Sequence, residues 1–292
     1  MKEERWMRGS VSLEETAAKA FLGGLQDRFR NKIDPDKYYL SYSGGKDSHL
    51  LYWFIKEWLH DDRIVIVGCN TGFEIAEVRN RILKNSDVVL HPVMHRKEIK
   101  ERFGIPCFSK QQDEYIYRYQ HGNRSENTMK FINGENPILN LNKRARNLLL
   151  SGQLHKVSNK CCQYNKDIAM TKWGKDNGRK AIMGVRRSES QTRKAKYTSC
   201  LTTKGQFTPL YDWTDDMVDL VYRVYKIPIP ECYQYLERTG CAGCPYGRHV
   251  ETELSLLPEL QRKASIDFFR ESYDVLGVDY NNIQTTMYQG EK

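Results

Sequence analysis

The stretch "SYSGGKDSHLL" constrains the fold more than any other part of the chain. It sets Ser43-Gly44-Gly45-Lys46-Asp47-Ser48 after an apolar run, "KYYLSYS" (37–43). A helical pattern follows, with Leu50, Leu51, Phe54, Ile55, Trp58 and Leu59 recurring on one face. A strand, a glycine turn and a helix in that order form the first half of a β-α-β unit. Glycines let the backbone turn tightly and bring its N–H groups to an anion. The helix N-terminus adds a positive dipole end, Ser48 a hydroxyl and Lys46 a neutralising charge. The loop is shorter than the Walker pattern and lacks its Gly-Lys-Ser/Thr ending. The competing reading is an ordinary glycine turn with Asp47 capping the helix.

The same alternation continues. "RIVIVGCN" (63–70), "SDVVLHPV" (86–93) and "KAIMGV" (180–185) read as strands, and 74–83 reads as a helix between two of them. The expected fold class is α/β: a mostly parallel, doubly wound sheet whose ligand lies beyond the carboxyl ends of the strands. Ser12 and Glu15 have capping-box spacing ahead of Ala18, Phe21, Leu25 and Phe29, which share a helical face. The stretch 109–160 breaks the rhythm and reads as a helical insertion over the active face. An amphipathic helix over 258–276 stops at Gly277. The expected organisation is an N-terminal helix (1–35), a core domain (36–250) carrying the insertion, and a C-terminal helical tail (251–292).

No apolar run approaches the roughly 20 residues that a membrane helix needs, and "MKEERWMRGS" has no signal-peptide core. The expectation is a cytoplasmic protein with no membrane partner and reduced thiols. Its eight cysteines then read as free thiols or metal ligands rather than disulfides. The net charge of +9 calls for an anionic partner, either a nucleotide or a nucleic acid. Basic residues concentrate at Lys143-Arg144-Ala145-Arg146 and between Arg186 and Lys196.

Cys161 and Cys162 are adjacent in "NKCCQYNK". Cys241 and Cys244 follow in "RTGCAGCPYG", eighty residues after Cys161. Adjacent cysteines rarely pair with each other, because a vicinal disulfide strains the backbone. Four cysteines suffice for a [4Fe–4S] cluster, whose separate irons neighbours can reach. A single tetrahedral zinc is harder to reach from two neighbours. Zinc and buried free thiols remain the alternatives.

The hexapeptide resembles the PP-loop of the adenine nucleotide alpha-hydrolase-like superfamily, shared by ATP pyrophosphatases and phosphoadenosine phosphosulfate (PAPS) reductases. "CNTGFEIAEV" resembles the reductase family's Asp-Thr-Gly segment. Thr71, Gly72 and Glu77 fit, while Asn70 replaces the Asp. "GVRRSESQTR" and "FTPLYDWTDDMVDLVY" resemble its arginine segment and its Pro-Leu-x-x-Trp-Thr segment, and the likeness runs from Asp36 to Arg248. The cysteine pattern is similar to that of the iron–sulfur, adenosine phosphosulfate (APS) reductase type.

The resemblance implies an adenine nucleotide (ATP, APS or PAPS, with Mg2+ as an optional companion) at Ser43, Gly44, Gly45, Lys46, Asp47, Ser48, Thr71 and Gly72. Arg186, Arg187 and Arg193 would grip its phosphate or sulfate end. It implies a [4Fe–4S] cluster on Cys161, Cys162, Cys241 and Cys244, with Lys166 between cluster and substrate. Lys46, Asp47 and Lys166 are the catalytic candidates. Cys69, Cys107, Cys200, Cys232 and Trp213 read as packing residues. The family's assimilatory members carry a catalytic cysteine in a C-terminal tail, and no cysteine follows Cys244 here. The expected activity is therefore sulfur reduction or transfer with a thiol or sulfur from a partner protein. The alternatives are an ATP-cleaving sulfurtransferase, similar to the PP-loop proteins of DNA phosphorothioation or tRNA thiolation, and a non-enzymatic nucleotide and cluster sensor.

Overall fold

The computed structural model describes residues 12–237 and 239–284. Four strands form one sheet in the order β3-β2-β1-β4: β1 (Tyr38–Tyr42), β2 (Val65–Cys69), β3 (Val88–Leu90) and β4 (Lys180–Ile182). β1 pairs in parallel with β2, Tyr39 opposite Val65 to Tyr42 opposite Gly68. On its other side it pairs in parallel with β4, Tyr38 opposite Lys180 to Leu40 opposite Ile182. Leu40, Tyr42, Ile66, Val67 and Ile182 are completely buried. Strands covered on both faces need apolar residues at successive positions, hence the unbroken apolar runs. The fold is α/β, as expected.

The helices are α1 (Leu13–Lys32), α2 (Lys46–Trp53), α3 (Ala76–Asn85), α4 (Arg96–Phe103), α5 (Lys110–Gln120), α6 (Glu126–Asn133) and α7 (Lys143–Leu150). They continue with α8 (Lys160–Cys162), α9 (Ile168–Asp176), α10 (Gln191–Lys196), α11 (Asp215–Val224), α12 (Val250–Ser255) and α13 (Glu259–Leu276). The Ser12–Glu15 capping box forms. Gly277 ends α13 in the left-handed region at φ 74°.

The chain divides into two compact units. The first takes the chain up to Gly68, Asn85–Val88 and Trp173–Pro230. The second takes Cys69–Lys84, Val89–Lys172 and the chain from Glu231. In the first unit, α1 buries Ala18, Leu22, Leu25 and Phe29, and the Phe29 ring meets Phe54 at 5.3 Å and Phe207 at 5.1 Å. Trp213 is core, as expected, and packs on Phe21. In the second unit, the segment spanning α5 to α7 closes around its own apolar cluster, which includes Ile116, Phe131, Ile132, Leu149 and Val157.

His155 ties that segment to α13. Ser272 Oγ donates its one proton to Pro106 O at 2.7 Å, so it accepts from His155 Nε2 at 3.0 Å. The ring is then the neutral Nε2–H tautomer. Burial, assisted by the charge of Lys100 and opposed by Glu271, lowers its pKa to about 4. A depressed histidine pKa contributes stability that is fully present above its ordinary value near 6.5. That contribution is lost as pH falls towards 4. Denaturant unfolding should show wild-type protein losing about 2–3 kcal/mol more than His155→Gln between pH 7 and pH 4.5. Equal losses in the two proteins would remove His155 from the account.

Candidate functional site

In the first unit, β1 delivers the chain to Ser43, and α2 starts at Lys46. Gly44 sits at φ 71°, a conformation that favours glycine. Gly45 is the N-cap, with no side-chain cap. Asp47 therefore does not cap the helix, contrary to the competing reading. It lies inside the first turn, where its carboxylate accepts from Arg186 Nε at 3.0 Å. Gly45 brings no side-chain cap to the first turn of α2, an arrangement that suits an anion. Ser48 Oγ shapes the loop, donating to Gly45 O at 3.0 Å and accepting from Ser43 N at 3.2 Å and from Ser43 Oγ at 3.0 Å.

The segment after β4 passes against this turn. A Cβ on Gly184 would lie 2.8 Å from Asp47 C and 2.9 Å from Ser48 N, so only glycine fits. Two residues on, Arg186 is only 6% exposed. Its guanidinium contacts Asp47, Asp215 Oδ1 at 2.7 Å and Ser188 Oγ at 3.3 Å. Arg193 pairs with Glu189, which also accepts from Arg186 N at 3.0 Å. Arg187 is half-buried, and its guanidinium has no partner among the described residues. Of the three arginines expected to grip an anion, two are engaged in holding the loop and one is open.

The Lys46 ammonium pairs with Asp219 and lies 5.8 Å from the Tyr222 ring centroid, while Tyr222 Oη donates to Lys46 O at 2.7 Å. Asp215, Asp219 and Tyr222 stand at i, i+4 and i+7 along α11 and so share one face. Sequence reasoning missed these three. Their signal was present in "TDDMVDLVY", where two acids four apart sit on an amphipathic helix.

The arginines predict a split. Arg186→Ala leaves the Asp47 carboxylate buried and unpaired, and should cost about 3 kcal/mol of stability. Arg187→Ala should change stability by less than about 0.5 kcal/mol and weaken nucleotide binding tenfold or more, at about 1.5–3 kcal/mol for a charged hydrogen bond. Denaturant titration and calorimetry with ATP and APS read the two effects. Unchanged affinity in Arg187→Ala would remove that residue from the site.

In the second unit, Thr71 and Gly72 form a turn around the buried Glu74. Its carboxylate accepts from Thr71 N, from Thr71 Oγ1 at 2.7 Å and from Gly72 N at 3.1 Å. These two amides, expected to face a nucleotide, are thus engaged within their own turn. Glu77 accepts from Glu231 N at 3.2 Å and Cys232 N at 3.0 Å, which fixes the approach to the second cysteine pair.

Cys161, Cys162, Cys241 and Cys244 come together in this unit. Cys161 is buried and the other three are half-buried. Burial is the main cause that pushes Cys161 up to about 12, and the neighbouring Cys162 adds to it. Burial also raises Cys241 and Cys244, and the charges of the other thiols raise them further. All eight cysteines are free. Lys166 is half-buried in the π turn Gln163–Asp167, and its charge opposes the rise at Cys241. Asn165 Nδ2, in the same turn, lies 2.9 Å from Cys161 Sγ.

The loop carrying Cys241 and Cys244 is held from several directions. Ala242 N donates to Phe73 O at 2.7 Å, Gly243 N to Glu253 Oε2 at 2.9 Å, and Tyr273 Oη to Gly243 O. Tyr246 Oη donates at 2.6 Å to Asp113, a fully buried carboxylate that also accepts from Cys107 N and Phe108 N. Gly243 has φ 75°, and a Cβ there would meet Leu254 Cδ2 at 2.7 Å. Such bracing fixes the backbone that carries the thiols.

Among the described residues no three His, Cys, Asp or Glu side chains are grouped to hold a metal ion as they stand. Four thiols are donors of the kind that a thiolate-bound centre takes. Four neighbouring thiols in a largely buried volume cannot ionise together without added positive charge, and soft iron–sulfur units take cysteine thiolates. In that respect the residues fit the cluster.

The remaining cysteines differ. Cys69, Cys107 and Cys232 are buried, and burial raises all three, Cys69 to about 11 and Cys232 to about 12. Cys200, in the first unit, is half-buried.

No helix among the described residues is long and apolar enough to cross a membrane. A family model described as the phosphoadenosine phosphosulfate reductase domain matches residues 37–246. No curated protein matches the chain.

Proposed function

The chain belongs to the phosphoadenosine phosphosulfate reductase domain family, and on that premise we propose that it is an iron–sulfur enzyme of sulfur reduction or transfer. It takes ATP, APS or PAPS at Ser43–Ser48 and works with a thiol or sulfur supplied by a partner protein. One observation carries the reading. Two cysteine pairs eighty residues apart in sequence lie near enough in the second unit for their charges to act on one another, in a chain that also holds a glycine loop without a side-chain cap at a helix start.

The side chains have distinct tasks in this reading. The first-turn amides of α2 and the Lys46 ammonium hold phosphate oxygens, and Arg187 supplies a planar donor pair. Asp47 and Arg186 are positioning residues that lock the loop to the segment after β4. Burial raises Asp47, and the Arg186 guanidinium beside it opposes that rise. Cys161, Cys162, Cys241 and Cys244 would hold a [4Fe–4S] cluster, a redox-capable centre tuned by its surroundings. Lys166 offsets negative charge at Cys241.

A second reading is ATP cleavage by a sulfurtransferase component, which would activate an acceptor oxygen by adenylation. The net charge of +9 favours it, as does the scarcity of accessible non-cluster thiols. Anaerobic purification, followed by iron and sulfide assays and product analysis with ATP, APS and PAPS, separates the readings. Iron with sulfite from APS or PAPS and an added thiol supports the first. Iron with AMP and pyrophosphate from ATP supports the second. Iron-free anaerobic protein that turns over none of the three overturns both.

A further inference from the structure

We infer that the helical segment 109–160 carries a binding surface for the phosphodiester backbone of a nucleic acid. Two shallow grooves adjoin on it. One, of about 650 Å³, is lined by Lys143, Arg144, Asn147, Leu148, Ser151 and Gln153. The other, of about 330 Å³, is lined in part by Tyr119, Gln120, Arg124, Gly152 and Lys156. They share the C-terminal end of α7 and the turn after it, to which they contribute alternate residues.

The charge of these grooves points to the ligand. Their lining holds four cations, Arg124, Lys143, Arg144 and Lys156, and no carboxylate. All four are exposed. Arg124 donates to the carbonyls of Tyr119 and Asn123, and Lys156 to the carbonyl of Glu101. Neither neutralises a charge by doing so. Lys143 and Arg144 have no carboxylate partner among the described residues. Nearby cations away from the grooves behave differently: Arg118 pairs with Glu114, and Lys130 with Glu126. In the grooves, by contrast, none of the four cations has a carboxylate partner among the described residues.

Their position adds to the field. Lys143 and Arg144 open α7, whose first turn holds no acid. Cations at a helix N-terminus oppose the macrodipole and are locally unfavourable. An anion bound there would meet both the cations and the positive helix end. The Arg124 guanidinium lies over the Tyr119 ring, 3.9 Å from its centroid, which holds that cation at the groove. A set of separated cations suits a repeating phosphate chain better than a single small anion. The surface lies wholly within the second unit and needs neither the nucleotide nor the cluster. Its test therefore stands apart from that of the proposed function.

The experiment is fluorescence anisotropy of the whole chain with end-labelled 30-residue probes of single-stranded RNA, single-stranded DNA and duplex DNA, over a salt series. Wild-type protein should bind at least one probe, with log K falling against log salt. Lys143→Gln with Arg144→Gln should weaken that probe about tenfold or more and lower the salt slope by about 1 to 2. The probe that binds tightest tells RNA from DNA and single from double strand. Because both side chains are exposed and sit unfavourably at a helix start, thermal melting should not fall, and ATP titration should match wild type. Binding that survives the double substitution with an unchanged slope would falsify the assignment, as would no binding to any probe at 50 mM salt. Arg118→Gln, paired and outside the grooves, should leave affinity unchanged. An equal loss there would reduce the effect to net charge alone and overturn the localisation.

Discussion

Cys244→Ser protein purified without oxygen is expected to be colourless and to hold iron near background, while the wild type is brown with about four irons per chain. The expected effect is close to all-or-none, because a cluster held by four cysteines loses a quarter of its protein bonds with one substitution. Serine at 244 also leaves the other thiols in a volume that already raises them. The bracing around the loop makes the test clean. Gly243 is held through Glu253 and Tyr273, and Tyr246 through Asp113, so neither anchor depends on the Cys244 sulfur. The loop should stay in place when Sγ becomes Oγ, and circular dichroism should show an unchanged helix content. Iron and acid-labile sulfide assays decide the matter. Stoichiometric zinc with no iron in anaerobic wild-type protein would sink the iron–sulfur reading and favour a structural zinc. Iron retained in full by Cys244→Ser would remove that residue from the ligand set.

Much of the fold was legible because its signals are local. The apolar run 37–43 became β1, and the helical face from Leu50 became the end of α2 and the π-helical segment Phe54–Trp58 that continues it, since each pattern has one burial requirement. Ser12 and Glu15 announced the start of α1, and Gly277 the end of α13, through caps that involve only nearby residues. The glycine turn between β1 and α2 was legible for the same reason. What the sequence did not disclose is which groups already have partners. Arg186, Arg187 and Arg193 look alike in "GVRRSESQTR". Only three dimensions show Arg186 clamped between Asp47 and Asp215, Arg193 paired with Glu189, and Arg187 open. The Thr71–Gly72 turn is a similar case, because Glu74 accepts the amides that a ligand was expected to meet. The bond between Asp113 and Tyr246 spans 133 residues, and no periodicity links such positions.

Little or no sulfite is the expected result when the chain is given APS or PAPS with thioredoxin as the only thiol source. Reduction through a covalent intermediate needs a thiolate that reaches the sulfonate sulfur. That attack forms an S-sulfonate and releases the nucleotide, and a second thiol then forms a disulfide and frees sulfite. Cys161, Cys162, Cys241 and Cys244 are committed to iron in the proposed reading. Cys69, Cys107 and Cys232 are buried with raised pKa values, so each is scarcely ionised at neutral pH and shielded from a substrate. Cys232 is doubly disfavoured, since the Glu77 carboxylate beside it opposes a second negative charge. The 292 residues hold no cysteine after Cys244. Cys200 is left as the one non-cluster thiol with partial exposure. Single-turnover assays with labelled sulfonucleotide, run on wild type and Cys200→Ser, read the outcome. Rapid sulfite release by wild type that Cys200→Ser abolishes would make the protein a stand-alone reductase with a relocated nucleophile. Silence with APS and PAPS in both proteins, together with pyrophosphate release from ATP once nucleic acid or a sulfur-carrying partner is added, would move the assignment to the sulfurtransferase reading.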